Sequence, residues 1–192
     1  MVPTSCIAKI RDRIVRSHYT HSVPSGKSRY YVFEEAVVIF AIPANYNIST
    51  YVVGVPNKVW ELARLWAPNN HRKNLLTQAL ANTVRAFHLD EPGVLALVSY
   101  ADPNAGHLGG VYRAASWVYT GQSSESRAYR APDGQIVSRR KFHTGSTGLK
   151  KADIEALGYK QMKLSGKHRF VKGLTRQARR YIERKFNAGA EQ

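Results

Sequence analysis

At 192 residues and 43% hydrophobic content the chain is long enough to bury the core of one globular domain, and no apolar run approaches the roughly eighteen residues that cross a membrane. A single cysteine, Cys6, excludes an internal disulfide and a thiolate-built zinc site, and Arg11, Asp12 and Arg13 break any signal-peptide core, so the expectation is a soluble, cytoplasmic protein. The net charge of +16 points to a polyanionic partner and not to a membrane, and residues 138–192 carry fifteen Lys and Arg against four Asp and Glu.

Ser5 can cap a helix over 6–17, in which Ile7, Ile10 and Ile14 form a narrow apolar stripe. His18-Tyr19-Thr20-His21 follows at the helix exit, readable either as part of a site or as a plain surface turn. Residues 30–33 and 36–42 read as antiparallel strands about Glu34-Glu35, 51–55 as a short strand or extended segment, and 58–66 as a strand with Trp60 and Leu62 buried. The segment 67–74 breaks that strand and opens a helix reaching about residue 88, with Leu76, Leu80, Val84 and Phe87 as its stripe. Free N–H groups and the helix dipole beside Arg72 and Lys73 suit a phosphate; Asn74 as an ordinary cap is the competing reading.

Residues 94–99 form an unbroken apolar run after Pro92-Gly93, the pattern of a strand buried on both faces. It ends in a loop shaped by Pro103, Gly106, Gly109 and Gly110 that carries Tyr100, Asp102, His107 and Tyr112, and open α/β sheets bind ligands at such strand ends. A short helix over 108–116, a strand over 117–119 and a hairpin of 126–130 with 135–141 about Pro132-Asp133-Gly134 come next. A brief helix over 150–158 stops at Gly158, and a final helix over 175–186 is basic through Arg176, Arg179, Arg180, Arg184 and Lys185. Asp102-Pro103 also reads as simple turn initiation, and Trp117 and Tyr119 alternate with Val118, so one face there is core.

This order of elements resembles the GNAT acyltransferase fold. The expected class is therefore α/β (α+β), a central mixed twisted sheet flanked by helices over residues 1–145. Residues 146–192 are expected to form a basic C-terminal extension packed on that domain and contacting DNA. The turn over 64–77 departs from the GNAT pyrophosphate loop in having no glycine. Tyr112 stands five residues before Trp117, similar to the GNAT Tyr-x-x-x-Gly-Phe pattern with Ser116 in place of glycine; the Tyr of that pattern protonates a departing thiolate.

A closer resemblance rests on Glu61-Leu62-Ala63-Arg64-Leu65-Trp66-Ala67-Pro68, Lys73-Asn74-Leu75-Leu76-Thr77, Ser99-Tyr100-Ala101-Asp102-Pro103, Gly106-His107-Leu108-Gly109 and Val111-Tyr112-Arg113-Ala114. With His18-Tyr19, these resemble the phage Mom family of DNA modification proteins. The resemblance implies a GNAT-like transferase that converts adenine in DNA to its N6-methylcarbamoyl (carbamoylmethyl) derivative and shields phage DNA from host restriction. It implies acetyl coenzyme A as cofactor, contacted by Arg64 and Thr77, with Leu65, Trp66, Arg72, Lys73 and Asn74 on the same turn. His18, Tyr19, Asp102 and Tyr112 fall where the family's catalytic groups are expected. An iron ion is suggested for the family, and His18 and Asp102, with His21 and His107 near in the pattern, are the candidate ligands.

The chemistry asks for these types of residue. The exocyclic amine of adenine is a poor nucleophile, so a proton acceptor (Asp102 or His18) and a donor to the leaving group (Tyr112) are needed. The expected partner is double-stranded DNA with the adenine flipped out, stacked on faces such as Tyr19, Tyr100, Trp117 or Tyr119, with His107 and Arg113 beside them. Arg139, Arg140, Lys141, Lys167, Arg169, Arg176 and Arg180 are expected to meet the phosphate backbone, a salt-sensitive contact. Two alternatives stay open: an N-acetyltransferase acting on a protein or RNA amine, and a non-enzymatic basic DNA-binding protein.

Overall fold

The computed structural model describes residues 4–142 and 148–187, the side chains of residues 4, 5, 140 and 187 aside. Nine strands and six α-helices are described: α1 (Thr4–Ser17), β1 (Ser28–Phe33), β2 (Ala36–Ala41), α2 (Ile48–Val53), β3 (Val59–Trp66), α3 (Leu75–Asp90), β4 (Ala96–Ala101), α4 (Gly110–Ala114), β5 (Val118–Gln122), β6 (Ser126–Arg130), β7 (Ile136–Ser138), α5 (Lys151–Ala156), β8 (Lys160–Leu164), β9 (His168–Gly173) and α6 (Arg176–Asn187). Six strands form a sheet in the order β1-β2-β3-β4-β9-β5, and three form a second sheet, β7-β6-β8. Every pairing is antiparallel except β3 with β4, which α3 connects. This is the mixed sheet flanked by helices expected of a GNAT-like fold. None of the described helices is long and apolar enough to cross a membrane.

Alternation along the strands assigns the helices to faces. Tyr31, Val38, Phe40, Trp60, Leu62 and Leu97 point to one side, where Leu75, Leu80 and Phe87 of α3 and Tyr112 of α4 cover them. Val37 and Ile39 point to the other side, under Ile10 and Ile14 of α1. Val59, Ala96, Val98 and Val171 face the same way and meet Ile48, Val52 and Val53 of α2 and Ile182 of α6. With helices on both faces, Ala96 to Ser99 of β4 are at most 1% exposed, which explains its unbroken apolar run.

Several expectations change. The segment 51–55, expected as a short strand or extended segment, instead lies largely in a helix over Ile48–Val53, although Tyr and Val favour strands. Ile48 and Val52, four apart, bury one stripe and Gly54 at φ 75° ends the turn, so packing overrides propensity. Asn74 does not cap α3 with its side chain; its backbone lies at φ 63°. The strand expected over 135–141 is only Ile136–Ser138, followed by a 3₁₀ turn at Arg139–Phe142.

Strands β8 and β9 lie where no element was expected. The boundary expected between residues 145 and 146 falls outside the described residues, and β9 lies inside the main sheet between β4 and β5. Since β5 pairs β9 and β6 pairs β8, the four strands are one antiparallel ribbon bent at residues 123–125 and 165–167. At the bend the chains touch: Ser123 N donates to Lys167 O and Lys167 N to Ser123 Oγ, each at 2.9 Å. A Cβ at position 166 would run into the Ser123 carbonyl, so the crossing requires Gly166.

Candidate active site

Strands β3 and β4 pair only from Val59↔Ala96 to Glu61↔Val98. Beyond that point they part. Ser99 Oγ donates to the Leu62 carbonyl at 3.2 Å where backbone pairing ends, and a cleft of about 560 Å³ opens between the C-terminal ends of the two strands. Leu62, Ala63, Leu65 and Trp66 line it from β3 and Tyr100 and Ala101 from β4; His18 and Tyr19 close it after α1, and His107 to Tyr112 close it from the loop and first turn of α4. Gly109 sets that loop, at φ 79° with a Cβ that would strike the Phe170 ring.

Of the four residues expected to be catalytic, His18, Tyr19 and Tyr112 line the cleft. Tyr112 is buried against Trp117 and Phe170, with ring centroids 5.5 and 5.2 Å away. Burial pushes its phenol up to about 12, partly offset by its contact with the Ser99 hydroxyl, so it keeps its proton at neutral pH. Tyr19 is 43% exposed and lies between two imidazoles, tilted by 31° to His18 at 4.5 Å and by 56° to His107 at 4.8 Å. Burial raises its phenol too.

His18 is buried, and that burial, aided by the charge of Arg64, lowers its pKa to about 4. Thr20 N donates to Nδ1 at 3.2 Å, so Nδ1 is the acceptor and the neutral ring carries its proton on Nε2. As built, His18 offers a donor rather than the expected base.

Asp102 opens the loop after β4. Its Oδ1 accepts from Asn104 N and Nδ2, each at 3.0 Å, and its Oδ2 pairs with Lys167 Nζ at 2.8 Å. Burial alone would raise its pKa; Lys167 and Asn104 outweigh it and hold the carboxyl below its usual range. An ionised carboxylate with both oxygens occupied is a weak proton acceptor, which alters the role expected of Asp102. Asn104 and the Lys167 contact were not foreseen. The Asp-Pro-Asn turn was a local signal for the first, whereas the second is set by strand pairing, because β9 brings Lys167 to the end of β4.

The same donor set tests the suggested iron. His18 Nδ1 and both Asp102 oxygens are already engaged, and no group of three His, Cys, Asp or Glu suited to a metal occurs among the described residues. His18 and Asp102 as arranged do not fit an iron site.

The turn before α3 is less open than expected. Arg72 Nε donates to Glu34 Oε2 at 2.9 Å and its Nη2 to Gln78 Oε1 at 2.7 Å; Lys73 is exposed, Asn74 is exposed and Thr77 is half-buried. Arg64 is tied to the segment after α1, donating to Ser22 O at 2.8 Å and Ser22 Oγ at 2.9 Å. Leu65 and Trp66 do line the cleft.

The residues expected at DNA divide. Tyr100 and His107 are in the cleft, and Trp117 is core, 5% exposed, and offers no stacking face. Arg113 covers Tyr119 and Phe170 at 5.6 and 5.2 Å, just outside the cleft. Arg169 is held by Tyr51 Oη and Thr120 on the α6 face, where Arg176 and Arg180 are exposed. Arg139 and Lys141 lie in the 3₁₀ turn after β7, beside the second sheet, Lys141 lying 5.9 Å from the centre of the Tyr159 ring, and the Arg140 side chain is outside the described atoms.

No curated protein matches the chain. Among solved structures, a CoA-dependent acyl-homoserine lactone synthase, MesI, is similar at 9% identity and a TM-score of 0.38, over 95% of this chain and 88% of that one. The model of the Mom protein family matches residues 5–188, a span that takes in both sheets and every wall of the cleft. The chain belongs to the Mom protein family.

Proposed function

We propose that the protein is a DNA-modifying transferase that converts adenine in double-stranded DNA to N6-carbamoylmethyl (methylcarbamoyl) adenine, which protects phage DNA from restriction in the host cytoplasm. One observation carries the reading: the parting of β3 and β4 leaves a cleft walled by Tyr19, Tyr100, His107 and Tyr112, the residues by which the sequence resembles the family. The adenine N6 forms a bond to the carbamoylmethyl carbon of an activated donor, the donor's leaving group departs with the bonding electron pair, and N6 releases one proton to solvent water. Tyr112, protonated up to about 12, is suited to protonate the departing group. Asp102, paired with Lys167 and Asn104 and accepting His107 N on its carbonyl at 2.9 Å, is suited to position the His107 loop against the base. The half-exposed Tyr19 ring, with His107 tilted against it, supports aromatic contact with an extruded base. The turn before α3, where Lys73 is exposed, is suited to the phosphates of a donor of the coenzyme A class.

The test is nucleoside mass spectrometry on plasmid DNA from cells expressing the chain, beside Asp102→Ala and Tyr112→Phe. The expected result is a deoxyadenosine heavier by one carbamoylmethyl group replacing hydrogen, with each variant reduced about 100-fold or more. Unmodified DNA from well-expressed wild type overturns the reading, and an acetyl-sized increment on a protein or RNA amine replaces it with ordinary acetyl transfer.

A further inference from the structure

The second sheet is unusual in what it places side by side. Arg127 of β6 is directly opposite Lys163 of β8, and Arg130 is directly opposite Lys160. All four are exposed. Like charges facing each other across a ladder destabilise it, and a small buried cluster, Tyr129, Val137, Phe142 and Ile154, offsets that repulsion. Residues 126–164 hold nine Lys and Arg against three Asp and Glu. Those acids serve local structure: Asp133 Oδ1 accepts from Gln135 N, Asp153 Oδ2 from Lys150 N, and Glu155 pairs with Lys151. Lys163 reaches Glu125 at 3.9 Å; among the described residues Arg127, Arg130 and Lys160 have no acidic partner.

The position of this sheet is fixed relative to the cleft. The bend of the ribbon lies against the Asp102 loop, with Asn104 Nδ2 donating to Ser165 O at 3.2 Å, Ser165 N donating to Asn104 Oδ1 at 3.3 Å, and Lys167 on Asp102. We propose that the three-stranded sheet is an arm that grips the sugar-phosphate backbone of duplex DNA beside the cleft, with the cross-strand pairs Arg127–Lys163 and Arg130–Lys160 as phosphate ligands. The proposal rests on the reading of the protein as a DNA-modifying enzyme. Residues 127 and 130 are an odd number apart, so the two pairs emerge on opposite faces and the arm presents positive charge on both. Charge on both faces suits a long polyanion read without regard to sequence better than one acidic patch on a folded protein.

The experiment is a titration of a fluorescent duplex oligonucleotide with the full chain over a series of salt concentrations. It compares the wild type, the doubles Arg127→Gln/Lys163→Gln and Arg130→Gln/Lys160→Gln, and a control of equal charge change on α1 and α3, Lys9→Gln/Arg85→Gln. Each arm double is expected to bind more weakly and to flatten the slope of log affinity against log salt by about 2, which is about 0.9 for each phosphate no longer neutralised. Its melting temperature is expected to stay level or rise, because the repulsion is relieved; cations with a structural role would lower it instead. Arm doubles that bind like the wild type, a control that flattens the slope equally, or tighter binding to an RNA duplex of the same sequence would each overturn the proposal. If the wild type has no affinity for DNA and leaves nucleosides unmodified, the proposed function itself fails. If DNA is modified while the arm doubles bind normally, only the arm is refuted.

Discussion

The two sheets are held together by different means. In the six-stranded sheet the rings of Tyr31, Phe40, Trp60 and Phe87 interlock with centroids 4.7 to 6.5 Å apart, and helices cover both faces. The three-stranded sheet rests on a small cluster, Tyr129 and Val137 against Phe142 and Ile154, and sets cations against cations. On the proposed function and the proposed arm, the contrast follows from what each sheet would carry. Groups that transfer protons must be held within a fraction of an ångström, which needs dense packing behind them. Groups that meet phosphates act as points of charge over a longer range and need only a stiff support.

The largest way to break this contrast is to empty each core in turn. Phe87→Ala is expected to cost about 3–5 kcal/mol in denaturant unfolding. Tyr129→Ala is expected to strip hydrogen-exchange protection from β6 and β8 and leave β2 to β4 protected. If Tyr129→Ala lowers protection evenly throughout, the sheets form one cooperative unit and the contrast dissolves. Next in size is Gly109→Ala, which forces a side chain into positive φ and against Phe170; a loss of about 1–3 kcal/mol is expected, with activity falling because the cleft loop shifts. An unchanged melting temperature would show that the loop yields freely.

Titration sharpens the comparison within the cleft. His18 has its pKa lowered from 6.5 to about 4, so its contribution to stability is present above pH 6.5 and is lost as the pH falls through that window, where the unfolded chain takes up a proton and the folded one does not. His18→Gln should flatten the decline in stability between pH 6.5 and 4, and an unaltered decline would mean that His18 is protonated in the fold. The smallest effect belongs to Lys167→Met. The pair with Asp102 is half in solvent, worth about 1 kcal/mol or less. The lowered carboxyl stabilises the fold above its ordinary value of 3.8, and that contribution is lost as the pH falls below it. The acid-unfolding midpoint of Lys167→Met should therefore move up, and a midpoint left in place would detach Lys167 from Asp102.

The strand β4 and the loop after it were legible because their signals are local: an apolar run, then Pro and Gly at the turns. The helix exit at His18-Tyr19 and the Tyr112 segment were legible in the same way, and the cleft does bring them together. Strands β8 and β9 were not, because Lys160, Lys163, His168, Arg169 and Lys172 mask any alternation, and burial of Phe170 and Val171 is supplied by β4, β5 and the helices around them. The role expected of Asp102 changed for a related reason. Its partner is remote in sequence and arrives only through the pairing of β4 with β9.

The bent ribbon places a constraint on how chains of this architecture can vary. Because β6 and β8 are laddered residue for residue, a single insertion in either would turn every following side chain to the opposite face. The arm can therefore lengthen only by matched additions to both strands, in steps of two residues on each. Each such step would carry the tip about 7 Å farther from the bend while leaving the crossing at Gly166 and everything below it in place. Reach along a bound polymer and the geometry of the cleft are thus separately adjustable in descent.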